Sequence, residues 1–380
     1  MSALGPFRPA LAVAAALGAL ALLAAACDSG DEGGAATDRA AVRQAMLADL
    51  AGRVILPVHD AFVADAEALA AATAAFADAP DAATLDAAQA AWLEAAKTWR
   101  RLSALNLPGV RFGLYHNRVS TWPANTEAVE EAVAAGEPIS ADYVAGRGSN
   151  ARGLPGLEYL LFAGSDADVL ATMADPQRRA YARFVAADVA DQGRALREKW
   201  AASGGDEIGM FLAADTEGRD LQSSLSRVVN EMAMVAEDLR HAKVGRPLGI
   251  ARKPGDADGA PDPSLVEAPY AGASVALFRA DLAGLRALLT GGGGTGIDDY
   301  LATLDAEIDG QPLGAALLAQ IEATDRAAAA LDGRFGEAVA ERSPAAEALY
   351  DETGTLLRLI KTDLANWLGV SITFSDNDGD

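Results

Sequence analysis

Alanine is the feature that most narrows the fold. It supplies about 90 of the 380 residues, far above ordinary usage, and it is the strongest helix former because it gives up no side-chain entropy in a helix. Valine and isoleucine are scattered, never more than two together, so the β-branched and aromatic runs that mark strands are missing. From Arg39 onward apolar residues recur at three and four. Leu85, Ala88, Trp92, Leu93, Ala96, Trp99 and Leu102 form one such stripe. The spacing predicts helices at 39–56, 57–79, 82–104, 124–135, 154–163, 176–202, 216–243, 264–290, 310–330 and 343–368. Pro57 suits a first helical turn, Asp81 an N-cap, and Ser343-Pro344 a cap followed by a proline. Small alanine faces let helices approach closely, so the expected fold is all-α, two helical bundles packed into one elongated body.

Charge and the rare residues exclude several function classes. Asp and Glu number 54 against 31 Lys and Arg, a formal net charge of −23. Phosphate neutralisation needs the opposite balance, so no nucleic-acid partner is expected. One cysteine excludes an internal disulfide framework and a multi-cysteine zinc site. His59, His116 and His241 leave little for a histidine-built metal centre. Arg8 is the only charge before an apolar run from Leu11 to Ala26, the anatomy of a secretory leader over residues 1–26. Leu23-Ala24-Ala25-Ala26-Cys27 resembles the bacterial lipobox. Cys27 is therefore the expected lipidation site, a bacterial membrane the expected partner through that anchor, and the periplasm the expected location. Residues 27–38 are Gly-, Asp- and Ala-rich and read as a flexible tether. A first bundle is expected over 39–243, a Gly/Pro/Asp-rich connector over 244–265, and a second bundle over 266–380.

Most chemical motifs fail. HExxH, HxxE, GxSxG and SxxK are absent. Gly291 to Gly296 matches GxGxxG but follows a predicted helix instead of a strand, so it reads as a loop. Asp376 to Asp380 begins like a calcium loop and stops before a twelfth-position ligand. Two stretches remain. Residues 105–123 form a long irregular segment in which His116, Asn117, Arg118 and Trp122 could line a polar and aromatic site. Residues 147–163 carry one acid, Glu158, among Leu157, Tyr159, Leu160, Leu161 and Phe162. A carboxylate in such company must be paired or have its pKa raised, and Arg100, Arg101, Arg118 and Arg152 are the candidate partners. The structural alternatives are a plain ion pair or an exposed helix-edge acid for Glu158, and a core stripe for Trp92 and Trp99.

The order of several landmarks resembles the imelysin family, in its branch of periplasmic lipoproteins. They are Ala91-Trp92 through Trp99-Arg100, Asn117-Arg118 with Trp122-Pro123, and the block from Gly153 to Phe162. Lys243 before Arg246-Pro247-Leu248-Gly249 follows, then Glu267-Ala268-Pro269-Tyr270, and Leu368-Gly369-Val370 with Asp378-Gly379-Asp380. The resemblance implies an all-helical body of two bundles, export to the envelope and frequent links to iron acquisition. The family name also implies a metallopeptidase with a GxHxxE motif. Gly153 and Glu158 match its Gly and Glu, but Pro155 stands where the His belongs. Proline cannot ligate a metal, so the peptidase reading loses its main support. Glu158 still offers oxygen to a hard cation such as iron or calcium. The expected function is an envelope binding protein for a metal ion, a metal complex or a small anionic ligand. Its expected site is Glu158, Arg118, Asn117, His116 and Trp122, with Glu158 toward the metal. The alternatives are a hydrolase using Glu158 as base and a scaffold for an envelope protein partner.

Overall fold

Local capping chemistry sets where the helices begin. In the computed structural model, which describes residues 30–215, 220–251 and 259–373, the elements run α1 (Gly30–Asp49), α2 (Leu56–Asp78), α3 (Ala82–Arg101), α4 (Pro108–Arg111), α5 (Tyr115–Val119) and α6 (Thr126–Ala134). Then come α7 (Ala141–Ala145), α8 (Gly153–Phe162), α9 (Asp166–Thr172), α10 (Pro176–Trp200), α11 (Glu207–Ala213) and α12 (Ser224–Glu237). The chain continues with α13 (Ser274–Leu289), α14 (Ile297–Thr303), a hairpin of β1 (Glu307–Ile308) and β2 (Gln311–Pro312), α15 (Leu313–Ala329), α16 (Phe335–Ala340), α17 (Pro344–Arg358) and α18 (Ala365–Trp367). Three π-helical stretches, Leu50–Ile55, Asp238–Gly245 and Leu359–Leu364, extend or join these helices. The expected leader, Cys27 and the closing Asp376 to Asp380 lie outside the described residues.

The all-α expectation holds, and the capping signals at Asp81 and Ser343 act as read. Pro57, by contrast, sits in the first turn of α2 with no break before it, because Ile55 and Leu56 are themselves helical. Asp81 accepts from the Thr84 amide at 2.8 Å while the Thr84 hydroxyl accepts from the Asp81 amide at 3.1 Å, a reciprocal box at the start of α3. Ser343 caps α17 with Pro344 in its first turn. Leu85, Ala88, Trp92, Ala96, Trp99 and Leu102 are all buried, so the stripe on α3 faces the core. Against it pack α2 and α13; α10 runs along α2, and α8 seats on α3 and α10. Beyond α13 lie α15 and α17, and α12 with its π extension packs on α17 and on the turn at 103–105. A Cβ at Gly284 would stand 2.7 Å from the Arg101 carbonyl oxygen, which shows how closely α13 approaches the end of α3. One continuous core runs from Phe62 and Trp92 through Leu285 to Leu317 and Ile360. Among the described residues no helix is long and apolar enough to cross a membrane.

The differences have local causes. The predicted helix 264–290 begins only at Ser274, because residues 266–271 are held out of helical form by side-chain ties. The predicted start at 310 falls instead in the β1–β2 turn, where Asp309 and Gly310 have φ of 52° and 74°. An Asp-Gly pair with both φ positive is the tight hairpin turn, a signal overridden by the helical periodicity that follows. Residues 216–219 lie outside the described residues, and α12 starts at Ser224 with Ser223 as its cap. At the other end of the chain, α1 begins at Gly30, within the stretch expected to be a tether. The GxGxxG segment is a glycine turn in which the Thr295 amide donates to Asp49 at 2.7 Å, so its anion partner comes from the chain itself.

Candidate functional site

Gly153 brings the two expected site segments together. Its φ is +68°, and a Cβ there would lie 2.4 Å from the Val119 carbonyl oxygen, so α8 starts hard against the end of α5. The Trp92 indole N–H donates to the Leu154 carbonyl at 2.9 Å and seats α8 on α3. One turn on, Pro155 and Glu158 line a cavity of about 20 Å³ with Trp99, Arg100, Ser120, Trp122 and Glu267. That is room for one water molecule or a bare ion.

Glu158 is 3% exposed, and its Oε1 accepts from the amides of Tyr270 at 2.8 Å and Ala271 at 2.9 Å. None of the four arginines expected to neutralise it does so. Arg100 pairs with Glu267 and Arg152 with Asp188 at 2.9 Å. Arg118 turns to Gln192 at 3.5 Å, and Arg101 is exposed. Burial pushes the Glu158 carboxyl up to about 7, and the nearby Glu267 charge adds to the rise; the two amide bonds favour the anion and offset it only in part.

The tie that shapes residues 266–271 is a buried charge network. Glu267 bridges Arg100 and Lys243, the latter at 2.9 Å, and Lys243 also pairs with Asp281. The half-exposed Asp238 stands 3.9 Å from Lys243. Burial pulls the Lys243 ammonium down, but Asp281 and Glu267 hold it above its ordinary value. Burial likewise raises Glu267, and Arg100 and Lys243 outweigh it, leaving the carboxyl below its usual range. The Ser274 hydroxyl donates to the Glu267 carbonyl, and the Trp122 indole N–H donates to the Val266 carbonyl at 3.2 Å. Lys243 and Glu267 were landmarks of the resemblance and not expected site residues. Their pairing depends on contact between α3, α13 and the π stretch at 238–245, which sequence spacing does not show.

Beside the small cavity lies a cleft of about 560 Å³, with Trp99, His116, Asn117 and Trp122 on one side and Glu231, Met234 and Asp238 on the other. The rings of Trp99 and His116 meet at a tilt of 45° with centroids 4.8 Å apart. Burial drives the His116 imidazole down to about 3, so it is neutral at ordinary pH. Burial takes Glu231 up to about 7 against the pull of Arg111. Of the five expected residues, Glu158 and Trp122 share the small cavity and His116, Asn117 and Trp122 share the cleft, while Arg118 lines neither. His59 is a core residue, its Nδ1 2.7 Å from the Ile55 carbonyl and its ring against Trp200. Among the described residues no group of three or more His, Cys, Asp or Glu is placed to hold a metal. The donor set therefore does not fit a resident catalytic metal.

The sequence profile described as Imelysin (Peptidase_M75) matches residues 55–360. No curated protein matches the chain. A crystal structure from Parabacteroides distasonis ATCC 8503, carrying the name iron-regulated protein A precursor, superposes with a TM-score of 0.72 at 16% identity, covering 86% of this chain and 95% of that one. An imelysin-like protein from Psychrobacter arcticum 273-4 gives 0.71 at 20% identity, covering 88% and 98%. At these identities the likeness is one of fold.

Proposed function

The chain belongs to the imelysin family, and from that membership we propose that it is a cell-envelope binding protein whose ligand is a cation received at Glu158. The leader and the lipobox at Cys27 support export and a lipid anchor on the periplasmic side of a bacterial membrane. The name of the Parabacteroides neighbour supports a link to iron.

One observation carries the reading: Glu158 is a buried carboxylate whose hydrogen bonds come from two backbone amides and not from a cationic side chain. The cation is cargo, entering from the cleft, and any water or chelator it keeps stays on the cleft side, outside the small cavity. Glu158 replaces one of its ligands, and the Ser120 hydroxyl and Glu267 carboxylate are the other oxygens on the cavity wall. An anionic ligand is disfavoured because Arg100, Lys243 and Arg111 are each already engaged by a carboxylate. Hydrolysis is disfavoured because Pro155 lines this cavity and no imidazole does.

Calorimetric titration of the full chain with calcium and with ferric citrate tests this. The expected result is saturable binding of one ion per chain, lost in Glu158→Gln. Binding that survives in the variant, or no binding of either ion, sinks the reading. Cleavage of an unfolded protein abolished by Glu158→Gln would restore the hydrolase.

A further inference from the structure

The cleft is a site in its own right. It shares Trp99, Arg100, Ser120 and Trp122 with the Glu158 cavity but holds about 560 Å³ against about 20 Å³. That volume suits an organic molecule and not a bare ion. Glu231, Met234, Val235 and Asp238 fall at i, i+3, i+4 and i+7 along α12 and its π extension, so one face presents two carboxylates flanking an apolar pair. Glu231 has Arg111 as partner. Among the described residues the ion-pair partner of Asp238 is Lys243, 3.9 Å away and engaged more closely by Glu267 and Asp281. Glu237 also lines the cleft and is paired with Lys361. Arg100, the other cation on the wall, is held by Glu267.

The opposite wall points the same way. The ring nitrogens of His116 and the Oδ1 of Asn106 are buried and make no well-formed hydrogen bond among the described residues, the Leu102 backbone being the nearest partner of the imidazole. A neutral imidazole offers one acceptor beside its one N–H donor, and the amide oxygen is a second acceptor, which a ligand rich in N–H donors would satisfy. Trp122 adds an aromatic surface, anchored through its indole N–H to Val266, and aromatic faces attract ammonium and guanidinium groups. Metal coordination by this wall is disfavoured by the absence, among the described residues, of any cluster of three metal-ligating side chains.

We propose that this cleft binds an organic cation, a primary amine or guanidinium on a short apolar chain, with Asp238 and Glu231 facing the charge and Trp122, His116 and Asn106 opposite. The site adjoins the Glu158 cavity across a shared wall, and binding of the amine does not require an ion at Glu158.

Calorimetry of the full chain with agmatine, which carries a guanidinium and an amine on a four-carbon chain, tests it; glutarate serves as an anion of similar length. Saturable agmatine binding is expected, weakened about tenfold in Asp238→Asn and weakened again in Glu231→Gln. Asp309→Asn, in the exposed β1–β2 turn, should bind like the parent. Asp238 is half-exposed, so its variant should fold, and an unchanged thermal midpoint verifies that. The proposal is overturned if agmatine shows no saturable heat, if glutarate binds as well, or if Asp238→Asn binds agmatine with undiminished affinity.

Discussion

At the scale of single residues, Glu158 carries the account because it is buried with a carboxyl pushed up to about 7. The unfolded chain loses that proton near 4.5 and the folded chain near 7, so the folded state binds more protons between the two. Stability must fall as pH rises through that window and level off above it. The full shift corresponds to about 3 kcal/mol. Glu158→Gln keeps an oxygen for the Tyr270 and Ala271 amides and has no charge to bury. Thermal melts at about pH 8 should show the variant more stable by up to about 3 kcal/mol, with the advantage vanishing toward about pH 4. Equal pH profiles would place Glu158 in a wetter setting. The sequence made this residue visible because one acid stood in an apolar helix. Its partners were not visible, since backbone amides of a segment 112 residues away leave no side-chain signature.

At the scale of elements, α8 depends on the left-handed Gly153 at its start. A Cβ would meet the carbonyl oxygens of both Val119 and Arg118. Gly153→Ala should cost about 1–3 kcal/mol from backbone strain alone, read by urea denaturation, and should weaken ligand binding by moving α5 away from α8. Full retention of both would show that α8 does not position the loop. Asp81→Ala is the milder comparison: it removes the α3 capping box and should cost about 1 kcal/mol without touching the site. Helices with strong caps and stripes, such as α3 and α17, were readable to within a residue at their starts, while the predicted ends at 104 and 368 ran past Arg101 and Arg358. The short α7, α9, α11, α14 and α16 were not, because five to seven residues give too little periodicity. The π stretches were invisible for a similar reason: they continue a helical pattern and change only the direction in which Asp238 and Lys243 project.

Across the whole molecule, the Arg100–Glu267–Lys243–Asp281 network joins α3, the π extension of α12, the 266–271 segment and α13. Removing one partner of such a buried set leaves an unmatched charge, which is far costlier than never having built it. Lys243→Met should lose about 3–5 kcal/mol in chemical denaturation, and a loss below about 1 kcal/mol would show that the network does not hold these elements together. An all-helical body was legible from alanine content and periodicity. The junction that builds the site was not, because it unites residues far apart in the chain whose pairing follows from packing alone. That same junction gives the account its central claim, that a cation takes the place of the proton on Glu158. The direct measurement is calorimetric titration of the binding ion at about pH 6, repeated in buffers of different ionisation enthalpy, since ligand deprotonation on metal binding releases protons. Release of close to one proton per ion, shrinking toward zero at about pH 8 and absent in Glu158→Gln, is the predicted result. Ion binding with no buffer-dependent heat, or with the same release in the variant, would contradict it.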